Sequence, residues 1–130
     1  MTTTQPNPAT SSHELDTRVG LDLFNNIMKT WQLGRKEALI LLGSIAPSTY
    51  DAWKKQPQPK LPHDTIVRIS YIIGIVKGLR IIFGNTKRAD EWVRKSNAML
   101  HGKSALDIML GGEIMDIAYI RSIVDSARGQ

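Results

Sequence analysis

Apolar residues recur along most of this chain at intervals of three and four positions, which is the spacing of amphipathic α-helices. Such runs cover residues 21–31 and residues 35–42, and the second run stops at Gly43, a residue suited to the end of a helix. A third helix is predicted over residues 47–55, because Pro47 occupies the favoured first helical position. No stretch alternates apolar and polar residues for long enough to predict a β-strand. The pattern therefore predicts an all-α fold.

Residues 63–83 form the longest apolar run, and they are apolar around more than one face of the predicted helix. A helix of this kind packs against two neighbours, so we expect it to be the central helix of the fold. Basic residues interrupt the run, which leaves far fewer than the ~20 consecutive apolar residues that a bilayer span needs. Gly74 and Gly78 are four positions apart and predict a place where another helix approaches closely. Further helices are predicted over residues 86–95, 104–110 and 113–128.

The first 17 residues differ from the rest of the chain, because they are mostly Thr, Ser, Pro and Asn with almost nothing to bury. Such a segment cannot offset the entropy of ordering itself, so we expect a disordered tail. Over the whole chain, hydrophobic residues make up 42% and charged residues 22%, which is typical of a globular protein. The lack of cysteine excludes disulfide scaffolds and cysteine-based zinc sites. With no secretory signal at the N-terminus, it also favours the cytoplasm.

The net charge of +5 is unevenly distributed along the sequence. Residues 18–60 carry seven basic and three acidic side chains, and residues 61–103 carry eight and three. Residues 1–17 and 104–130 each carry two more acidic than basic side chains. A basic body between acidic ends indicates an anionic partner for the body, most commonly nucleic acid, and a different role for the C-terminal end.

Residues 35–55 have the layout of a helix-turn-helix, in which two short helices are joined by a tight turn that contains glycine. We expect Tyr50 and Trp53 to anchor the second helix to the core while its opposite face stays free. The short side chains on that face would let the helix enter the major groove of DNA. The predicted DNA-binding residues are Arg35, Lys36, Pro47, Ser48, Asp51, Lys54 and Lys55.

The predicted DNA-binding residues have different roles. Ser48 would meet a base edge, and Lys54 and Lys55 would hold the phosphate backbone. The two basic residues at positions 35 and 36 are interpreted either as phosphate contacts or as solvated charges. Asp51 counts against a DNA-facing surface unless it accepts a hydrogen bond from a cytosine amino group. The alternative to the whole hypothesis is a helical hairpin that has no DNA function.

The C-terminal half carries a more specific pattern. It consists of an aromatic residue followed by glycine, an alanine and a tryptophan on one helix, an asparagine, a loop glycine and a Ser-x-Leu-Asp run. The matching residues are Phe83, Gly84, Ala89, Trp92, Asn97, Gly102, Ser104, Leu106 and Asp107. This pattern resembles the toxin-binding domain of the Xre/MbcA/ParS antitoxins over residues 83–129, although Ser96 and Ala105 stand where that family has prolines. The upstream helix-turn-helix is similar to the Xre-like domain that the family usually places there.

The resemblance implies an antitoxin that binds and silences a RES-domain toxin, an enzyme that acts on NAD or uses it for ADP-ribosylation. It also implies that the protein represses its own operon by binding operator DNA. A single recognition helix makes few base contacts, so we expect a homodimer or a larger complex with the toxin. The toxin would contact the helix over residues 86–95, the loop over residues 97–103 and the acidic final helix.

The predicted toxin-binding residues are Asn97, His101, Lys103, Ser104, Arg121, Arg128 and Gln130. Asn97 and Ser104 are also suited to capping helices, which is the alternative interpretation of both. A C-terminal tail that carries Arg128 would be able to contact polar groups in the NAD-binding cleft of the toxin. The alternative for this tail is that it is merely a frayed chain end.

The predicted organisation is a tail over residues 1–17, a helix-turn-helix domain over 18–62, a connecting or dimerisation helix over 63–83 and a toxin-binding domain over 84–130. An enzyme is not expected, because the three histidines lack the spacing of metal ligands and no glycine-rich phosphate loop is present. No cofactor, metal or membrane partner is predicted. Two rival hypotheses are a stand-alone helix-turn-helix repressor whose C-terminal half only dimerises, and a partner-binding scaffold that does not contact DNA.

Overall fold

The structure is a computed structural model that describes residues 16–129, and every regular element within that range is helical. The all-α prediction is therefore confirmed for these residues. The helices are α1 (Thr17–Thr30), α2 (Arg35–Leu41), α3 (Pro47–Lys55), α4 (His63–Phe83), α5 (Thr86–Trp92), α6 (Ala105–Met109) and α7 (Ile114–Ala127), with a 3₁₀ turn at Ala98–Leu100. Residues 1–15 of the predicted tail and the predicted toxin contact Gln130 lie outside the described residues.

Two helix boundaries differ from the prediction by three or more residues. α1 begins at Thr17 rather than at residue 21, because the Asp16 side chain accepts hydrogen bonds from two backbone N–H groups of the first turn, at 2.9 and 3.2 Å. α5 ends at Trp92 rather than at residue 95. The N–H groups of the next two turn residues, Arg94 and Lys95, donate to carbonyls only three positions back, which tightens the chain and ends the helix.

α4 is the central helix, as predicted, and it packs against α1, α5 and α7. The buried apolar side chains of the described residues form one continuous cluster, so the N-terminal and C-terminal helices share a core. Among the largest fully buried side chains are Trp31, Phe24, Leu21, Leu41, Leu42, Ile72, Ile75, Leu100 and Met109. Over residues 16–129, none of the helices combines the length and the apolar character that crossing a membrane requires.

Gly74 and Gly78 mark the contact between α4 and α7, which confirms the close approach that their spacing predicted. The guanidinium of Arg121 lies over Gly74, and the side chain of Val124 packs against Gly78. A Cβ atom added at either glycine would overlap these groups. Gly78 follows Gly74 along α4, and its partner Val124 follows Arg121 along α7. The two helices therefore run side by side in the same direction.

Polar contacts outside the core also join the two ends of the chain. Arg94, which follows α5, donates from Nε to the carbonyl of Trp31 at 2.8 Å and from Nη2 to the carbonyl of Gln32 at 2.9 Å. Gly112, in the turn before α7, lies beside the side chain of Ile40 on α2. These contacts hold the C-terminal helices against the first two helices.

Candidate functional site

The turn between α2 and α3 is fastened to the first half of α4. Gly43 has a φ of 116°, in the left-handed region that glycine adopts without strain. The Thr65 hydroxyl donates to the carbonyl of Leu42 at 2.8 Å, and the buried Arg68 donates from Nη1 to the carbonyl of Leu41 at 3.4 Å. Buried carbonyls at the end of α2 therefore have partners, and these hydrogen bonds attach the end of α2 to α4.

α3 has one buried face and one exposed face. Tyr50 and Trp53 are each only 5% exposed, which confirms their predicted role as anchors. The Tyr50 hydroxyl donates to Oδ1 of Asn25 on α1 at 2.6 Å, and burial raises the pKa of Tyr50, so this hydroxyl remains a donor at neutral pH. The exposed residues around the rest of α3 are Pro47, Ser48, Thr49, Ala52, Lys54 and Lys55.

Two of the predicted DNA contacts are bound to each other. Arg35 Nη1 and Asp51 Oδ1 are 2.7 Å apart, and Arg35 Nη2 and Asp51 Oδ2 are 2.8 Å apart, which makes a bidentate ion pair between α2 and α3. These hydrogen bonds from Arg35 lower the pKa of Asp51, so both groups are charged at neutral pH. The pair neutralises the one carboxylate on α3. A phosphate contact by Arg35 or a cytosine contact by Asp51 would require the pair to open.

Arg18 caps the C-terminal end of α3, a role that the sequence analysis did not predict. Its Nη1 donates to the carbonyls of Trp53, Lys54 and Gln56 at 3.2, 3.1 and 2.8 Å. Its Nη2 also pairs with Asp22, one turn along α1, at 3.2 Å. A cation among the last carbonyls of a helix complements the helix dipole, so Arg18 helps to set the orientation of α3.

Residues 96–103, which include the 3₁₀ turn, form a closed loop before α6. The Asn97 N–H donates to the carbonyl of Lys103 at 3.0 Å, and the Ser96 hydroxyl donates to the carbonyl of Gly102 at 2.6 Å. Ser96 therefore fastens the loop by a hydrogen bond at a position where proline was the expected residue. His101 and Lys103, two of the predicted toxin contacts, are exposed on this loop.

Asn97 and Ser104, two further predicted toxin contacts, act as helix caps. The Asn97 side chain accepts from the N–H of Met99 at 2.9 Å. Ser104 and Asp107 form a reciprocal capping box at the start of α6, with distances of 3.0 and 3.3 Å. Ser104 is also buried, with 7% of its surface exposed. The capping interpretation is confirmed for both residues, and their contact with a toxin stays a prediction.

The predicted toxin contacts on α7 differ in how accessible they are. Arg121 is half-buried over Gly74 and donates from Nε to both carboxylate oxygens of Asp125 at 3.2 Å, so it contributes to the contact with α4. Arg128 follows the helix and is exposed, although its aliphatic stem approaches Gly78. Of these two residues Arg128 is the more accessible to a partner, and both toxin contacts stay predictions.

Comparison with known proteins identifies the second half of the chain. Residues 78–129 match the family model of the antitoxin Xre/MbcA/ParS C-terminal toxin-binding domain. The chain is also 43% identical over 109 residues to "Uncharacterized protein y4oB" from Sinorhizobium fredii (strain NBRC 101917 / NGR234), an alignment that covers 84% of each protein. The chain belongs to the Xre/MbcA/ParS antitoxin family. The resemblance seen in the sequence is thereby confirmed.

The matched domain of the antitoxin begins within α4 and includes α5, α6 and α7. It exposes five large apolar side chains that the sequence analysis did not single out, namely Ile81 at 62% and Ile82 at 37% on α4, Met99 at 69%, and Met115 at 71% and Tyr119 at 48% on α7. Met115 and Tyr119 are one turn apart on α7, and they lie opposite the buried Ile117 and Ile120. The sequence could have indicated this exposed pair, because Met115 and Tyr119 are four positions apart on the helix face opposite the predicted apolar stripe.

Proposed function

We propose that this antitoxin binds and neutralises a RES-domain toxin that consumes NAD or uses it for ADP-ribosylation, and that it represses its own operon by binding DNA. The family match of residues 78–129 to a toxin-binding domain is the observation that carries the proposal. The identity of the toxin as a RES-domain enzyme rests on the resemblance of residues 83–107 to that branch of the family. In this proposal residues 18–62 contact DNA and residues 84–130 contact the toxin.

The toxin-binding surface is proposed to centre on Met115 and Tyr119 of α7, with the exposed His101 and Lys103 loop and Arg128 as polar contributors. Methionine and tyrosine are enriched at protein interfaces. The tyrosine ring offers a large contact area at a low entropy cost, and the flexible methionine side chain adapts to the shape of a partner. Both side chains stand clear of the core, so they are available to a partner without unfolding. Two acidic residues, Glu113 immediately before α7 and Asp116 on α7, add negative charge at the edge of the proposed surface.

Replacing both Met115 and Tyr119 with serine is expected to weaken toxin binding by about 30-fold or more, because two hot-spot side chains typically contribute at least ~2 kcal/mol together. The antitoxin would be expressed with the protein encoded by the neighbouring gene, and growth rescue and co-purification would be scored. The unmodified antitoxin should rescue growth and form a stable complex, whereas the double variant should do neither at matched expression.

A matched control exists on α1, where Val19 and Leu23 are also one turn apart and are 46% and 42% exposed. Replacing these two residues with serine should leave rescue and complex formation unchanged. Equal loss in both double variants would contradict the placement of the toxin surface on α7. If no protein co-purifies with the unmodified antitoxin and growth is not rescued, the toxin-binding proposal fails and a stand-alone repressor becomes the better account.

DNA binding is proposed from the arrangement of α2 and α3. The proposed recognition helix is α3, which is anchored to the core by the buried rings of Tyr50 and Trp53. Its exposed residues Ser48 and Ala52 are small, so the helix could approach the floor of a major groove closely. Lys36 and Lys55 are exposed at opposite ends of the helix pair and would contact the backbone. Two copies bound to two half-sites would supply the affinity that one short helix lacks, so we propose that the operator complex contains a dimer.

A further inference from the structure

A cleft of about 330 Å³ lies beside α3, between the second half of α1 and the beginning of α2. Its apolar walls come from Met28, Leu33, Ala38 and the ring of Tyr50. The remaining lining residues are Asn25, Lys29, Gly34, Arg35 and Lys54. The cleft therefore combines an apolar floor with three cationic side chains, and none of its lining residues is acidic.

The acids that contact this lining are already engaged. Asp51 is held by Arg35 in the bidentate pair, and Oε1 of Glu37 accepts from the N–H of Gly34 at 3.0 Å. The Lys54 ammonium lies 4.3 Å from the centroid of the Tyr50 ring. Across residues 16–129, neither Lys54 nor Lys29 has a carboxylate partner within salt-bridge distance. The cleft thus carries two positive charges that the described part of the protein does not neutralise.

We propose that this cleft binds one backbone phosphate of DNA, held between the ammonium groups of Lys29 and Lys54. The inference rests on the proposed DNA-binding function and adds to it a contact from α1. When α3 lies in a major groove, its flanks face the phosphates on either side, and Lys54 lies on the flank towards α1. Lysine binds phosphate as a point charge, so two lysines that approach from different helices can share one phosphodiester.

The occupant is a DNA phosphate rather than a free anion because both lysines are exposed to solvent. A single small anion gains little from exposed ammonium groups in water. A duplex that is already docked on α3 presents its phosphates at a high local concentration, and counterion release then favours each contact. The low-polarity floor formed by Tyr50, Met28 and Leu33 strengthens the attraction further by excluding water.

Replacing Lys29 with glutamine tests the phosphate contact. Binding of the full-length antitoxin to a duplex containing the region upstream of its own gene would be measured between 50 and 200 mM salt. Because Lys54 would still contact the shared phosphate, loss of the Lys29 contact should reduce the magnitude of the slope of log K against log salt by up to about 0.9 and weaken binding by up to roughly tenfold at 0.1 M salt. Lys29→Arg should restore both quantities, and Lys77→Gln, at an exposed site on α4, should change neither.

The possible results of this experiment test the phosphate contact and the proposed DNA-binding function separately. If the unmodified antitoxin binds the duplex and Lys29→Gln binds with the same slope and affinity, the cleft is not a phosphate site and DNA binding stands. If the unmodified antitoxin does not bind duplex DNA at any of these salt concentrations, both the proposed DNA function and the phosphate site are wrong. Thermal unfolding of each variant checks that the comparison is made on folded protein.

Discussion

Changing Lys54 and Lys55 together to glutamate is expected to weaken binding of the antitoxin to duplex DNA by on the order of 100-fold at 0.1 M salt. Both lysines are exposed on the last turn of α3, and the change replaces two cations that are proposed to face the phosphates with two anions. Toxin binding should be unaffected, because neither residue lies in the matched toxin-binding domain. Titration of a labelled upstream duplex measures the first effect, and co-purification with the toxin measures the second.

The matched control for this variant is the change of Lys60 and Lys77 to glutamate, which alters the net charge by the same amount at two exposed positions away from α3. The control should lose only the small affinity that follows from the lower total charge. If the two variants lose affinity equally, or if Lys54→Glu with Lys55→Glu binds as well as the unmodified protein, then α3 is not the helix that meets DNA.

Gly78→Ala is expected to lower the free energy of unfolding by about 2–3 kcal/mol, even though alanine favours helix formation over glycine. The added Cβ would overlap Cγ1 of Val124, a short branched side chain that is 1% exposed and has no room to move. Relief of the overlap requires α4 and α7 to separate, which opens the core that both halves of the antitoxin share. Equilibrium unfolding in urea measures the change.

Gly74→Ala is the matched comparison, because Gly74 lies on the same helix and also touches α7. Its Cβ would meet only the guanidinium end of Arg121, which is flexible and half-exposed and can swing aside. We expect the stability of Gly74→Ala to lie within about 1 kcal/mol of the unmodified protein, with the gain in helix propensity offsetting the displaced side chain. Equal destabilisation by the two substitutions would show that the packing of α7 on α4 has been misassigned.

The sequence predicted well those features that depend on residues close together in the chain, such as helix ends and the spacing of residues within one helix. The bounds of α4 were predicted to the residue, because Pro62 precedes an uninterrupted helical pattern and Gly84 adopts a φ of 62° at its end. The anchoring role of Tyr50 and Trp53 followed from their three-residue spacing, and both are buried. The Gly74 and Gly78 pair likewise indicated a helix contact before its partner was known.

The features that the sequence did not predict depend on contacts between distant parts of the chain. The sequence analysis gave Arg18 and Arg94 no role and interpreted Arg35 as a phosphate contact or a solvated charge. Each of the three nevertheless binds groups that lie between 16 and 63 positions away. A single sequence does not specify which acid or carbonyl a cation will meet once the helices have packed. The phosphate cleft was missed for the same reason, since Lys29 and Lys54 are brought together only by the packing of α1 against α3.

The predicted toxin contacts show a related limit. Polar residues in a loop are natural candidates for recognition, but Asn97 and Ser104 are used by the fold itself to begin the 3₁₀ turn and α6. The packing leaves Met115 and Tyr119 exposed on α7, and the sequence analysis did not include these two residues among the predicted toxin contacts. The exposed fractions of the side chains therefore add an apolar face to the predicted polar contacts.

The two proposed surfaces belong to different helices of one shared core. The proposed DNA-binding face is on α3, and the proposed toxin-binding face is on α7. Arg94 joins the toxin-binding region to the end of α1, the helix that also carries Lys29 and Arg18. Since the surfaces do not share residues, one copy of the antitoxin should be able to hold both partners at once.

The most direct test of this account is a titration of the purified toxin into a preformed complex of the antitoxin with a fluorescently labelled upstream duplex, followed by native gel electrophoresis and sedimentation. The account predicts a larger complex that contains DNA, antitoxin and toxin together. Release of the free duplex on addition of toxin, in proportion to the toxin bound, would show that the two partners compete for one surface and would contradict the central claim.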